Sequence, residues 1–209
     1  MTISNYDEES RRKEEARLNY IKRSDEIASL IGAIPECRYN CDVQFTDLNW
    51  HIERYRKNYD GFDENPDFQR GYVWTEEQQI KYIESFIRGA IGDTGRTITL
   101  NCPDFQREKD KKSDLTGFVV VDGLQRLTAV RRFMNGEIRV FNDAVPGGCD
   151  FEFFNYSRFN LKSGNGLKFN IFNLQTKKEV IDYYIAFNDG GTAHTKEEIA
   201  RVRELRDSL

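Results

Sequence analysis

The sequence predicts an α+β protein, a mixed sheet flanked by helices, with a charged N-terminal helix and a C-terminal helical pair. Three observations predict it. The run "GFVVVD" at 117–122 is rich in β-branched residues and passes through Gly123 straight into a helical pattern. Three Thr-x-x-Glu/Gln starts, Thr75/Gln78, Thr176/Glu179 and Thr195/Glu198, carry the reciprocal capping pattern of helix N-termini. Strand-like and helix-like segments mix without the regular βαβα rhythm of a doubly wound sheet.

Taken in order, residues 5–31 read as a charged helix with a weak apolar stripe at Leu18, Ile21, Ile27, Leu30 and Ile31. Residues 1–41 form a helical extension, and 42–209 form the domain. "DVQFT" at 42–46 reads as a short strand, and Thr46 or Asp47 caps the helix that follows. The tract 59–74 is a loop, in which Pro66 sets an extended approach to Phe68–Trp74. Ile80, Ile83, Phe86 and Ile87 recur at helical spacing until Gly89 or Gly92. "TITLN" at 97–101 alternates as a strand does, and 102–116 reads as a charged, mobile hairpin. The helix after Gly123 stops at Gly136, and "EIRVF" at 137–141 reads as a returning strand. Residues 142–165 carry no assignable pattern; "GLKFNIFNL" reads as a strand, followed by helices to Phe187 and to Leu209.

Composition narrows the function classes. Aromatic residues reach 13%, which argues for order, while the net charge of −4 denies the chain a global field for nucleic acid. There is no apolar leader at the N-terminus and no apolar run of membrane-spanning length, so a cytoplasmic protein is expected, in a bacterial or phage-infected cell. Cys37, Cys41, Cys102 and Cys149 lack paired C-x2-C knuckles and read as reduced thiols, with a Cys37/Cys41 metal clip as the lesser alternative.

The chemistry concentrates at the strand–helix junction "DGLQR", 122–126. A first helical turn has free N–H groups and a partial positive charge. Gly123 removes a Cβ that would hold an anion off, and Arg126 offers a fork suited to phosphate. Asp122 fits a Mg2+ ligand, a ribose partner or an N-cap. Gln125 fits orientation of an attacking water or a bond to a base edge. No Walker loop is present. An ordinary capped helix with an exposed Arg is an equal reading of the junction taken alone. A second stretch, "NPDFQRGYVW", reads as a base-stacking wall with a second phosphate-binding residue, Arg70, or as a hydrophobic loop with a stacked Arg70. A third, "FNDGGTAHTKEEI", offers an anion nest at Asn188, Gly190 and Gly191, or a plain interhelical turn.

In this order, P-x-F-Q-R-x-Y-V-W, V-V-D-G-x-Q-R-L-T-A and F-N-x-G-G-T-x-x-T-x-x-E-I resemble the N-terminal domain of GmrSD-type modification-dependent restriction enzymes, marked by a D-G-Q-Q-R motif and belonging to the wider ParB/sulfiredoxin-like fold. The resemblance covers residues 42–202. It implies a nucleoside triphosphate bound with Mg2+, weak nucleoside triphosphatase activity, and a link to phage-defence restriction systems. By position it implies a catalytic set of Asp122, Gln125 and Arg126, with Asp122 as the Mg2+ ligand. The implied nucleotide set is Gln69, Arg70, Gly123, Arg126, Asn188, Gly190 and Gly191. Leu124 replaces the first Gln of the motif, which implies that binding outlasts hydrolysis. It also excludes a sulfiredoxin, whose G-C-H-R motif needs a nucleophilic cysteine there.

His51 and His194 lie too far apart in sequence for an H-N-H nuclease site, so the nuclease half is expected to be missing. The implied partners are a nucleoside triphosphate, DNA, a separate nuclease or defence protein, and a second copy in a homodimer. Two alternatives remain from other classes. One is a DNA-binding or nicking ParB-like nuclease, supported by "RRF", "ERYRK" and "REKDKK". The other is a non-catalytic, phage-encoded decoy or regulator of a host defence system.

Overall fold

A computed structural model of the chain describes residues 3–32, 35–106, 113–156, 166–189 and 195–209. The chain divides into two compact units, residues 1–35 and 36–209. The first unit holds α1 (Ile3–Ile31). Its surface carries ion pairs one turn apart, such as Arg12–Glu8 at 3.0 Å and Lys13–Glu9 at 2.7 Å. Such exposed pairs stabilise a helix by a few tenths of a kcal/mol each, about 0.2–0.5. The expected stripe at Leu18, Ile21, Ile27, Leu30 and Ile31 is exposed.

The second unit runs β1 (Tyr39–Gln44), α2 (Leu48–Asn58), β2 (Phe62–Asp63), α3 (Glu76–Ile87), α4 (Asp93–Arg96), β3 (Thr97–Asn101) and β4 (Phe118–Asp122). It continues with α5 (Leu124–Met134), α6 (Phe151–Tyr156), β5 (Gly166–Phe172), α7 (Lys177–Asp189) and α8 (Lys196–Asp207). The sheet order is β1-β5-β3-β4-β2. The β1–β5 and β3–β4 pairs are antiparallel, and the β3–β5 and β2–β4 pairs are parallel, so the mixed α+β sheet is as expected.

Alternation along β4 explains the layers. Phe118 and Val120 enter the main core with Ile83 and Phe86 of α3 and Leu127, Val130 and Phe133 of α5. Val119 and Val121 turn to a second cluster, with Val180, Ile181 and Tyr184 of α7 and Ile199 and Val202 of α8. Period-2 side chains therefore bury both faces of the sheet. As the β-branched run predicts, β4 lies inside the sheet, and Leu127, Val130 and Phe133 point inward while Met134 is partly covered.

All three capping boxes form. Thr75 and Thr195 accept from the N–H groups of Gln78 and Glu198 with the return bonds present. Thr176 Oγ1 accepts from Glu179 N–H at 3.2 Å, and Thr176 N–H donates to Glu179 Oε2 at 3.1 Å.

Several expectations are corrected. The strand expected at 42–46 is Tyr39–Gln44, and Phe45–Asp47 coils as a 3-10 turn. Asp47 occupies the N-cap of α2 but makes no side-chain cap bond. "EIRVF" forms no strand; only Val140 bridges, to Cys149. β5 stops at Phe172 because the Asn101 side chain takes over the next pairing, donating to Leu174 O at 3.1 Å and accepting from Leu174 N–H at 2.8 Å. Cys37 packs at the α7 cluster and Cys41 at the main core, which leaves the metal clip without support. Of the hairpin expected at 102–116, residues 107–112 lie outside the described residues.

Burial pushes the Cys102 thiol and the Tyr184 phenol up to about 12, from 9.0 and 10.0. Both groups ionise in the unfolded chain before they do in the native one, so the unfolded state gains stability as pH rises. Their contribution is complete below pH 9 and is lost progressively towards pH 12. Urea midpoints measured across that window are expected to fall; a flat profile would contradict the assignment.

Candidate functional site

The strand β4 ends at the carboxylate of Asp122, and α5 begins two residues later, at Leu124. Gly123 between them has φ +102, and a Cβ there would lie 2.7 Å from Ile98 Cδ1, 3.2 Å from Ile98 Cα and 3.3 Å from Arg126 Nη2. The glycine is therefore required by the close approach of β3 and by the left-handed turn. Gly123 supplies no side-chain cap, and the first helical bond runs from Leu127 N–H to Gly123 O at 2.9 Å. The N–H groups of residues 124–126 precede that bond and carry the positive end of the helix dipole.

The loop 67–74 is pinned to this junction by side chains from three helices. Gln125 Oε1 accepts from the N–H groups of Val73 and Trp74, each at 3.0 Å, and its Nε2 donates to Gly71 O at 2.8 Å. Arg201 of α8 donates to the carbonyls of Asp67, Phe68 and Gln69 at 3.1, 3.2 and 3.2 Å. Gln79 of α3 donates to Trp74 O at 3.3 Å. Gln69 Nε2 donates to Val120 O, so this amide continues the ladder where the two-residue β2 runs out. Removing the amide in Gln125→Ala deletes three of these bonds, each worth about 0.5–1.5 kcal/mol net. We expect a loss of about 2 kcal/mol in urea unfolding and faster proteolysis within 67–74. Unchanged proteolysis would show that the loop is held by the other contacts alone.

Loop, junction and α7 together enclose a cleft of about 500 Å3. Of the residues proposed from sequence, Gln69, Arg70, Asp122, Gly123, Gln125, Arg126 and Asn188 all line it. Gly190 and Gly191 lie outside the described residues. Sequence reasoning missed Tyr184 and Phe187, which line the cleft, and Arg201, which positions its loop. The aromatics sit at i and i+3 on one face of α7, a spacing that marks a buried face equally well. Of the aromatic wall expected in "NPDFQRGYVW", Trp74 alone reaches the cleft; Phe68 is buried against Tyr184, with centroids 5.4 Å apart.

The two guanidinium groups are each paired. Arg126 Nη2 meets Asp122 Oδ2, with the side chains 19% and 22% exposed. Arg70 Nη1 lies 3.4 Å from Glu198 Oε2, the same oxygen that accepts from Thr195 N–H at 2.8 Å in the α8 cap. Arg126 Nε is buried without an acceptor among the described residues. A buried donor lacking a partner beside an open helix start fits an anion. For Mg2+ Asp122 is the one carboxylate among the described residues that line the cleft, and the described residues contain no cluster of three His, Cys, Asp or Glu side chains. Mg2+ fits here only as Mg2+ usually binds, through one carboxylate plus oxygens of a phosphorylated ligand. Leu124, in the variable place of the motif, is 8% exposed and packs into the main core.

A larger apolar groove of about 1020 Å3 lies between the end of α3 and α6 and contains none of these residues. No described helix is long and apolar enough to cross a membrane.

Compared with known families, residues 50–203 match the GmrSD restriction endonuclease, N-terminal domain. No curated protein and no solved structure gives a match. The matched span contains the 69–74 loop, the Asp122–Arg126 junction and the end of α7, the three segments that the fold brings to one cleft. The chain belongs to the family of the GmrSD restriction endonuclease N-terminal domain, which ties it to the restriction systems of phage defence.

Proposed function

We propose that the domain binds a nucleoside triphosphate in this cleft and hydrolyses it slowly at most. The observation that carries the reading is the meeting of Arg70, Arg126 and the open start of α5 on one cavity of about 500 Å3, the scale of a small-molecule site. Phosphate oxygens would take the place of Asp122 and Glu198 on the two guanidinium groups, exchanging one anion for another. A Mg2+ ion arriving with the nucleotide would screen its charge, with Asp122 the side chain placed to hold it. The role of Arg126 is phosphate contact through its fork and its buried Nε. Gln125 serves by clamping the loop, because its amide is already bonded at both ends.

That commitment argues for slow turnover. Hydrolysis needs a water held in line with the leaving group. Gln125 is engaged elsewhere, and Leu124 presents no polar atom. A nucleotide-dependent switch acting on a separate nuclease or defence protein is therefore favoured over an enzyme acting by itself.

A DNA-binding reading has less support. Of the basic residues that favour it, Arg131 pairs with Glu64 at 2.6 Å, and Arg132 pairs with Glu76 and Glu137 at 2.9 and 3.0 Å. Arg56 pairs with Glu53 and Glu64. These pairs would have to break before phosphates could be neutralised.

The test is calorimetry against ATP, GTP, CTP and UTP with and without Mg2+, with phosphate release followed in parallel. Affinity for at least one nucleotide with little release is the expected result. No affinity for any of them would end the nucleotide reading and favour a non-catalytic decoy.

A further inference from the structure

Resting on the nucleotide reading above, we infer that Phe187 is the platform on which the nucleotide base stacks, with Asn188 beside it accepting a hydrogen bond from the base edge. The cleft has two electrostatically unlike ends. One is the N-terminal start of α5, with its free N–H groups and Arg126. The other is the last turn of α7, where a helix presents carbonyls and partial negative charge, and where α7 carries no basic residue to offset them. Phosphates belong at the first end and are repelled from the second. The neutral, N–H-bearing part of the ligand is what the second end suits.

The side chains on that end agree. Tyr184 stands at the boundary, within the electrostatic reach of Arg70, Glu198 and Asp122. Phe187 is three residues further, about 4.5 Å along the helix axis. It is 42% exposed and lines the cleft. Its ring lies nearly parallel to Tyr183, at 12° with centroids 6.0 Å apart, so one side is supported while the ring stays accessible. Asn188 lines the cleft and donates from its amide nitrogen back to Tyr184 O at 2.7 Å, so its carbonyl oxygen is the acceptor we assign to the base edge. The other aromatics near the cleft are less suited. Trp74 is partly buried against Tyr82, with centroids 5.3 Å apart, Phe68 is buried, and the exposed Tyr72 does not line the cleft. An exposed large apolar ring in a cleft that also carries phosphate-binding groups is what sequence-tolerant base stacking uses.

The experiment compares ligands with and without a base. Inorganic tripolyphosphate and the four ribonucleoside triphosphates are titrated with Mg2+ into the wild-type chain, Phe187→Ala and Phe187→Trp. The wild type is expected to bind its preferred nucleotide more tightly than tripolyphosphate. Phe187→Ala should lower nucleotide affinity about 5- to 50-fold, in the range reported for base–aromatic stacking, and leave tripolyphosphate affinity unchanged. Phe187→Trp should keep nucleotide affinity at or above wild type. An unaltered nucleotide affinity in Phe187→Ala would overturn the platform while leaving the nucleotide site standing. Equal losses for both ligands would overturn it too, since they would mark a general structural effect. A wild-type chain that binds neither ligand would overturn the nucleotide reading itself, and the platform with it.

Discussion

Arg126→Ala is expected to weaken nucleotide binding by about 1.5–3 kcal/mol, a factor of roughly 10 to 150. The substitution removes the fork that contacts phosphate, including the buried Nε that has no partner among the described residues. It also strips Asp122 of its ion-pair partner, so a bare carboxylate, 22% exposed, is left in the path of an anion. Both effects act in the same direction. Arg126→Lys should recover only part of the affinity, because an ammonium restores charge without the planar pair of donors. Calorimetry on the three proteins checks this, alongside thermal unfolding to separate binding from stability. An Arg126→Ala protein that is folded and binds as the wild type does would remove Arg126 from the site.

The second large effect is expected at Gly123. Gly123→Ala should destabilise the domain by about 2–5 kcal/mol, summing the cost of a side chain in the left-handed region, about 1–2, and of overpacking, about 1–3. The backbone there sits at φ +102, and the new Cβ would meet Ile98 at both its side-chain tip and its Cα. The tip can swing aside, but the Cα belongs to β3, beside β4 in the middle of the sheet. Urea unfolding provides the measurement. A loss below about 1 kcal/mol would mean that the strand and helix can separate at little cost, contrary to the packing described. Because α5 starts at this turn, the same variant should also lose nucleotide affinity.

The errors of the sequence reading have local physical causes. Residues 137–141 alternate correctly for a strand, with Ile138 and Val140 both buried. They satisfy their backbone by other means. Glu137 N–H donates to Arg132 O at 2.9 Å, Phe141 N–H donates to Glu84 Oε1 at 2.7 Å, and Arg139 O accepts from Asn142 Nδ2 at 2.9 Å. Burial with period 2 is thus compatible with an irregular segment when side chains and a neighbouring helix supply the hydrogen bonds. Gln125 was legible as a functional polar residue, yet its partners Gly71, Val73 and Trp74 stand more than fifty positions earlier, and nothing in the sequence selects them over water or a ligand.

What the sequence by itself determined were features closed within a helical turn or a strand: the three capping boxes, the β4–Gly123–α5 junction, and the inward faces of α3 and α5. These rest on bonds and periodicities between residues three or four apart, or two apart, so the neighbours that decide them are written beside them. Only the tertiary structure decided which anion faces which guanidinium, that Arg201 holds the 67–69 carbonyls, and that Phe187 rather than Tyr72 reaches the cleft. Those outcomes depend on where the chain returns after long intervals. A charge or a ring carries no label for its distant partner until packing has placed the two together.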